Sequence, residues 1–153
     1  ANELISYVDM DLLMNSSEPG KSITSQLTGI HKKTTTELKK IEEELKKEES
    51  DLIKQKNVIS NEEFEKKLSL LRNKASDYQK QRKKFNDSIN KKRLDATSKL
   101  ISIIQPILAK YANNNSISII FQKKNIIIGK TELDITKDVL KILNENHKKI
   151  VIN

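Results

Sequence analysis

The sequence predicts a mainly helical α+β protein: a long antiparallel coiled-coil hairpin projecting from a small, strand-bearing body. Three observations predict it. No Gly or Pro interrupts Ile30–Gln105, and these two residues are the strongest local breakers of regular structure. Apolar residues in that stretch recur at heptad spacing, the signature of a coiled coil. The ends are Ile-rich: 14 Ile fall in the last 53 residues, against 4 between His31 and Lys99. Two apolar ends around a polar middle make one core most simply if the ends meet and the middle protrudes. The expected body is residues 1–20 with 100–153, and the expected arm is 21–99.

Composition agrees. The 153 residues are 35% hydrophobic and 33% charged, against roughly 45–50% and 25% for an average globular domain. Leu, Ile, Val and Phe together make up about 29% of the chain, above the roughly 20% that signals disorder. The chain therefore folds, with little core for its length. The absence of Cys excludes a disulfide scaffold, a thiolate metal site and a Cys nucleophile.

Taken in order, Leu4–Met10 reads as a strand. Asp9 and Asp11 read as its end and a helix cap, not as a catalytic pair. The first arm helix starts near Lys21, with its seam at Ile23, Leu27, Ile30, Thr34, Leu38, Ile41, Leu45, Glu48 and Leu52. The wider spacing from Ile30 to Leu38 locally relaxes a left-handed supercoil. About 36 residues at roughly 1.5 Å each give an arm near 50 Å long. A turn follows near 57–60. Ser60 with Glu63 forms a capping box and Ile59 with Phe64 a hydrophobic staple, so a second helix starts at Asn61. Two helices joined by so short a turn run antiparallel.

The second seam is Phe64, Leu68, Leu71, Ala75, Tyr78, Arg82, Phe85, Ile89, Lys92 and Ala96. Antiparallel pairing sets Leu52 against Phe64, Leu45 against Leu71, Ile41 against Ala75, and Leu38 against Tyr78. Thr34 then falls opposite Arg82, a layer in which neither helix offers an apolar residue, and we expect flexibility there. The helix continues through Leu100, Ile103, Ile104, Ile107, Leu108 and Tyr111 with a kink at Pro106, and Asn113–Asn115 end it. Ser116–Phe121 reads as a strand with Ile117, Ile119 and Phe121 on one face. Ile126–Ile128 reads as a strand buried on both faces, at a subunit interface. Asp134 or Thr136 opens a last helix with Ile135, Val139, Leu140, Ile142 and Leu143 inward. Lys149–Ile152 reads as an edge strand.

The formal net charge is +8 and lies mostly in one place. Lys32–Lys56 is nearly neutral, with eight Lys against seven Asp or Glu. Arg72–Arg93 carries nine cations (Arg72, Lys74, Lys80, Arg82, Lys83, Lys84, Lys91, Lys92, Arg93) against Asp77 and Asp87. Such a tract is either a solvated helix face or a contact surface for an acidic partner: nucleic acid, an anionic membrane surface or an acidic polypeptide. The longest apolar stretch, Leu100–Ala109, is too short to span a bilayer.

Chemistry-bearing constellations are missing. His31 and His147 lack ligand partners at metal spacing. The Gly20–Ser22 "GKS" lacks the Gly that a phosphate loop needs five residues earlier, where Asn15 stands. Tyr7, Tyr78 and Tyr111 are too scattered for a base-stacking platform. We expect no enzyme, no metal and no cofactor.

"YVDMD" at 7–11, "SEPGK" at 17–21, the charged hairpin, "ISIIF" at 117–121, "NIIIGKTELDIT" at 125–136 and "VLKILNE" at 139–145 occur in that order. In this the chain resembles the Skp (OmpH-like) family of periplasmic chaperones over nearly its whole length. The resemblance implies a homotrimer in which three bodies share a β-barrel-like core and three arms surround a cavity. It implies an ATP-independent holdase for unfolded outer-membrane proteins, located in the periplasm after removal of a signal peptide. Trimer-body residues would be Ile5, Tyr7, Val8, Ile117, Ile119, Phe121, Ile126, Ile127 and Ile128. The basic arm tract would bind client, and anionic membrane surface or lipopolysaccharide is a further partner to expect. Pro106 and the tail "HKKIVIN" depart from the family pattern. The competing reading is a basic coiled-coil nucleic-acid-binding protein, whose mark would be a steep salt dependence. A purely structural coiled coil is disfavoured by the Ile-rich ends.

Overall fold

A computed structural model describes residues 4–153. In chain order they form strand β1 (Leu4–Val8), helices α1 (Met10–Ser16), α2 (Glu18–Gln55) and α3 (Asn61–Asn114), strand β2 (Ile117–Gln122), short 3-10 turns at Lys123–Asn125 and Thr131–Leu133, and helix α4 (Thr136–Asn146). The fold is mainly helical with a small two-stranded sheet. The chain divides into two compact units, Ala1–Leu27 with Lys92–Asn153, and Thr28–Lys91. Residues 1–3 of the expected body lie outside the described residues.

In the Thr28–Lys91 unit, the ends of α2 and the start of α3 pair antiparallel. Gln55 closes the turn by accepting the amides of Val58 and Ile59 at 2.9 and 3.1 Å. The Ser60 half of the capping box forms, its hydroxyl accepting the Glu63 amide at 3.2 Å. Across the seam Lys67 donates to Gln55 at 3.0 Å and Lys74 to Glu48 at 2.9 Å, and the His31 and Phe85 rings lie 5.8 Å apart. These contacts step along the two helices in opposite directions, as the short turn requires. Leu52, Tyr78 and Ile89 are buried, and Ile41, Leu45, Phe64, Leu68 and Leu71 are half-buried. Of the seam positions here, Glu48, Ala75 and Arg82 are exposed.

In the other unit β1 and β2 run parallel, with Ile5 beside Ile119 and Tyr7 beside Phe121. Parallel neighbours cannot be joined by a tight turn, so α1, α2 and α3 together serve as their connection. Asp9 ends β1 and caps α1, accepting the Leu12 amide at 3.0 Å. Met10 therefore belongs to α1 and not to the strand: the cap turns the chain one residue sooner. Helix α2 likewise starts at Glu18 rather than Lys21. The buried Ser17 hydroxyl takes the Gly20 amide at 3.1 Å, and Pro19 fits a first helical turn, where its missing amide is no loss. Helix α3 runs through Pro106 and ends at Asn114. Ser116 follows at φ 55°.

The "DIT" segment ties α4 to β1. Ile135 donates its amide to the Tyr7 carbonyl at 3.0 Å, and the Asp9 amide donates to the Thr136 hydroxyl at 2.9 Å. Neither Asp134 nor Thr136 is the cap of α4: that position is Ile135, which makes no side-chain cap bond, and Asp134 accepts the Thr136 amide at 3.0 Å from one residue further out. Burial pushes the Asp134 carboxyl up, but the Thr136 hydroxyl and amide and the Lys123 ammonium outweigh it and hold it below its usual value. Val8, Leu13, Leu100, Ile104, Val139 and Leu143 form the centre of the core.

Two expected strands do not form. Ile126–Ile128 follows a 3-10 turn whose Lys123 carbonyl takes the Ile126 amide at 3.0 Å. Among the described residues no neighbouring strand offers a ladder, and Ile127 and Ile128 are 98% and 91% exposed. Lys149–Ile152 also joins no sheet. The Gln26 side chain, rather than a strand, pairs with its backbone at Ile150 and Ile152.

Two predictions follow from this packing. A Cβ built on Gly20 would lie 2.1 Å from the Met14 carbonyl oxygen, whereas one on Gly29 meets nothing within 4 Å. Gly20→Ala is expected to cost about 2–3 kcal/mol through overpacking, and Gly29→Ala to gain about 0.5–1 kcal/mol of helix propensity, both read by thermal unfolding. Tyr111 donates to Asp138 at 2.6 Å, and this hydrogen bond, then burial, then the carboxylate charge push its phenol up to about 12. Its raised value is stabilising below a free phenol's titration and is lost as pH rises through about 12. Ultraviolet titration is expected to show Asp138→Asn bringing this phenol down towards a free tyrosine's value.

Candidate functional site

Nine basic side chains of α3 are the strongest electrostatic feature of the sequence, and the helix distributes them unequally. At about 100° per residue, a side chain two positions beyond a buried one points roughly opposite to it. Lys80 and Lys91 stand two beyond the buried Tyr78 and Ile89. Lys84 is four beyond Lys80 and shares its side. These three exposed lysines therefore form a stripe facing away from the seam. Arg72 and Lys83 are also exposed.

The remaining four lie nearer the seam. Lys74 is paired with Glu48 at 2.9 Å. Arg82 holds its guanidinium 5.9 Å from the centre of the Tyr78 ring, a distance at which cation–π attraction is felt. The Lys92 ammonium donates to the Asn153 carbonyl. Arg93 is exposed. Spacing along the chain did not separate the solvated lysines from the engaged ones, because the partner Glu48 sits on the other helix.

The layer around Thr34 and Arg82 is open. His31, Thr35, Leu38, Tyr78, Arg82 and Phe85 are among the residues lining a groove of about 550 Å³. Thr34 is half-buried and Arg82 exposed, so neither fills the seam.

The apolar residues assigned to the body fall into two groups. Tyr7 and Val8 are buried. Tyr7 is also pinned by its hydroxyl donating to the Lys130 carbonyl at 3.0 Å. Ile117 and Ile126 are half-buried. The in-register Ile5 and Ile119, with Phe121 beside Tyr7, lie on one face of the sheet and are each nearly half exposed. Ile127 and Ile128 extend this exposed apolar surface in sequence.

Among the described residues no group of His, Cys, Asp or Glu stands close enough to hold a metal ion. No described helix is long and apolar enough to cross a membrane.

The family model for outer membrane protein (OmpH-like) matches residues 5–143. The chain belongs to the OmpH-like family. A solved structure from Caulobacter crescentus CB15, described as an OmpH-like outer membrane chaperone, superposes with a TM-score of 0.94 at 18% sequence identity, covering 100% of this chain and 90% of that one. At this identity the likeness speaks for the fold: long hairpin helices with a small sheet. No curated protein matches the chain. The family match ends inside α4, ahead of the segment that Gln26 holds.

Filling the open layer tests its role. Thr34→Leu with Arg82→Leu is expected to slow backbone hydrogen exchange across residues 30–38 and 78–89 by about thirtyfold or more. Two added leucines each bring about 1–2 kcal/mol of burial to a local opening reaction. Unchanged exchange would show that this layer does not limit the hairpin.

Proposed function

We propose that the protein is an ATP-independent holdase chaperone of the periplasm. Acting as a homotrimer, it binds unfolded outer-membrane proteins in a cavity between three helical arms and prevents their aggregation. The observation that carries this reading is membership of the OmpH-like family over residues 5–143. The solved relative's description as an outer membrane chaperone supports the same role.

The physics of the chain is consistent with it. Residues 21–99 would be the arm, and residues 1–20 with 100–153 the body. A two-stranded sheet is marginal alone, and its Ile5, Ile119 and Phe121, each nearly half exposed, are the kind of face that a second and third copy would cover. The arm would hold client through many weak contacts from exposed cations such as Lys80, Lys84 and Lys91. Each is worth little singly, and their sum grows through multivalency. Contacts this weak release a client without nucleotide hydrolysis, and no catalytic group is needed.

A urea-unfolded outer-membrane barrel protein diluted into the chaperone tests the reading, with light scattering and native mass as readouts. A trimer that suppresses scattering is expected, with capture weakening as salt screens the cations. Changing Lys80, Lys84 and Lys91 together to Glu is expected to weaken capture about tenfold and leave the trimer intact. A monomer that leaves client aggregation unchanged would overturn the proposal. So would a preference for nucleic acid with a steep salt slope.

A further inference from the structure

Gln26, on α2, holds an extended segment by its main chain. Its side-chain Nε2 donates to the Ile150 carbonyl at 2.6 Å, and its Oε1 accepts the Ile152 amide at 3.1 Å. One donor and one acceptor on a single amide reproduce what a neighbouring strand's peptide groups would offer. The clasp is itself positioned, because Nε2 also reaches the Ser22 hydroxyl at 3.0 Å. Ile150 is buried, while Val151 is exposed. On α3, Lys92, Asp95, Ala96 and Lys99 line a cavity of about 140 Å³ together with Val151 and Ile152. All of these residues belong to the same compact unit.

We propose that the surface covered by residues 147–153 and clasped by Gln26 is a peptide-binding groove, held shut in cis by those residues, for an extended segment carrying an isoleucine-like side chain. A clasp on main-chain groups reads conformation rather than sequence, as strand-adding sites do. The buried Ile150 position adds selection for one apolar residue. The two together fit an extended chain with alternating apolar side chains. The segment now in the groove belongs to no helix or strand, so its release breaks no ladder. The groove uses none of Lys80, Lys84 and Lys91, and the inference does not rest on client capture by the arm.

The test uses the full chain and a fluorescein-labelled hexapeptide, Lys-Lys-Ile-Val-Ile-Asn, read by anisotropy. In the unchanged chain the tethered segment competes at an effective concentration in the millimolar range. Ile150→Asp, with Ile150→Ser as the milder variant, is expected to expel it and tighten probe binding about tenfold or more. Adding Gln26→Ala to either variant is expected to abolish that gain. A probe carrying Asp in place of its first Ile is expected not to bind. The proposal falls if neither Ile150 variant gains affinity, if the gain survives Gln26→Ala, or if the Asp-bearing probe binds equally well. None of these readouts involves an outer-membrane protein, so a failure here leaves the holdase reading standing, and the reverse.

Discussion

The parallel ladder between Leu4–Val8 and Ile117–Gln122 is the constraint on which the rest of the structure depends. A parallel pair demands that the chain leave one end of a strand and return to the same end of its neighbour. Here the whole of α1, α2 and α3 makes that return. The entropic cost of closing so long a connection grows only slowly with length, and it falls further because α2 and α3 pair with each other over the Thr28–Lys91 unit. The Tyr7 carbonyl then accepts Ile135, so α4 is docked by the same strand that β2 pairs with.

Burial is divided unevenly between the two units. The unit holding the chain ends contains Leu13, Leu100, Ile104, Val139 and Leu143 fully enclosed. In the Thr28–Lys91 unit, the buried hydrophobic side chains Leu52, Tyr78 and Ile89 each keep some exposure. Local openings cost least where few apolar contacts must break. The hairpin is therefore expected to open first, and its Thr34–Arg82 layer is the place where exchange measurements test that expectation. A surface of this kind adapts to irregular partners at small cost, which suits the capture of unfolded chains.

Side chains that bond to main chain decide where elements start and stop. Asp9, Ser17, Ser60 and Asp134 each accept an amide two or three residues ahead. Such contacts are local, and Asp9 and Ser60 were legible as residue types at characteristic offsets, whereas the last helix left Asp134 and Thr136 as alternatives and takes Ile135 as its cap. Ser17 was not, because "SEPGK" reads first as a breaker and only its enclosure shows that the helix already begins at Glu18. Gln26 was also passed over. It sits beside the seam residue Leu27 and looks like an ordinary polar neighbour, and its partners lie more than a hundred residues away.

The sequence by itself determined the antiparallel hairpin, its turn, most of its seam, and strand character near Leu4–Met10 and Ser116–Phe121; that these two pair was decided by the fold. Those features rest on periodicity and local capping, which are written in consecutive residues. It also determined that the cations concentrate on one helix. The tertiary structure decided which of them are free of distant partners, because Glu48 and Asn153 come from elsewhere in the chain to engage Lys74 and Lys92, whereas Arg82 meets Tyr78 one turn back on its own helix. It decided too that Ile126–Ile128 and Lys149–Ile152 form no strand within the protomer. Apolar character makes a segment able to join a sheet, but a strand exists only where a neighbour presents its peptide groups, and whether a neighbour is there is a property of the fold.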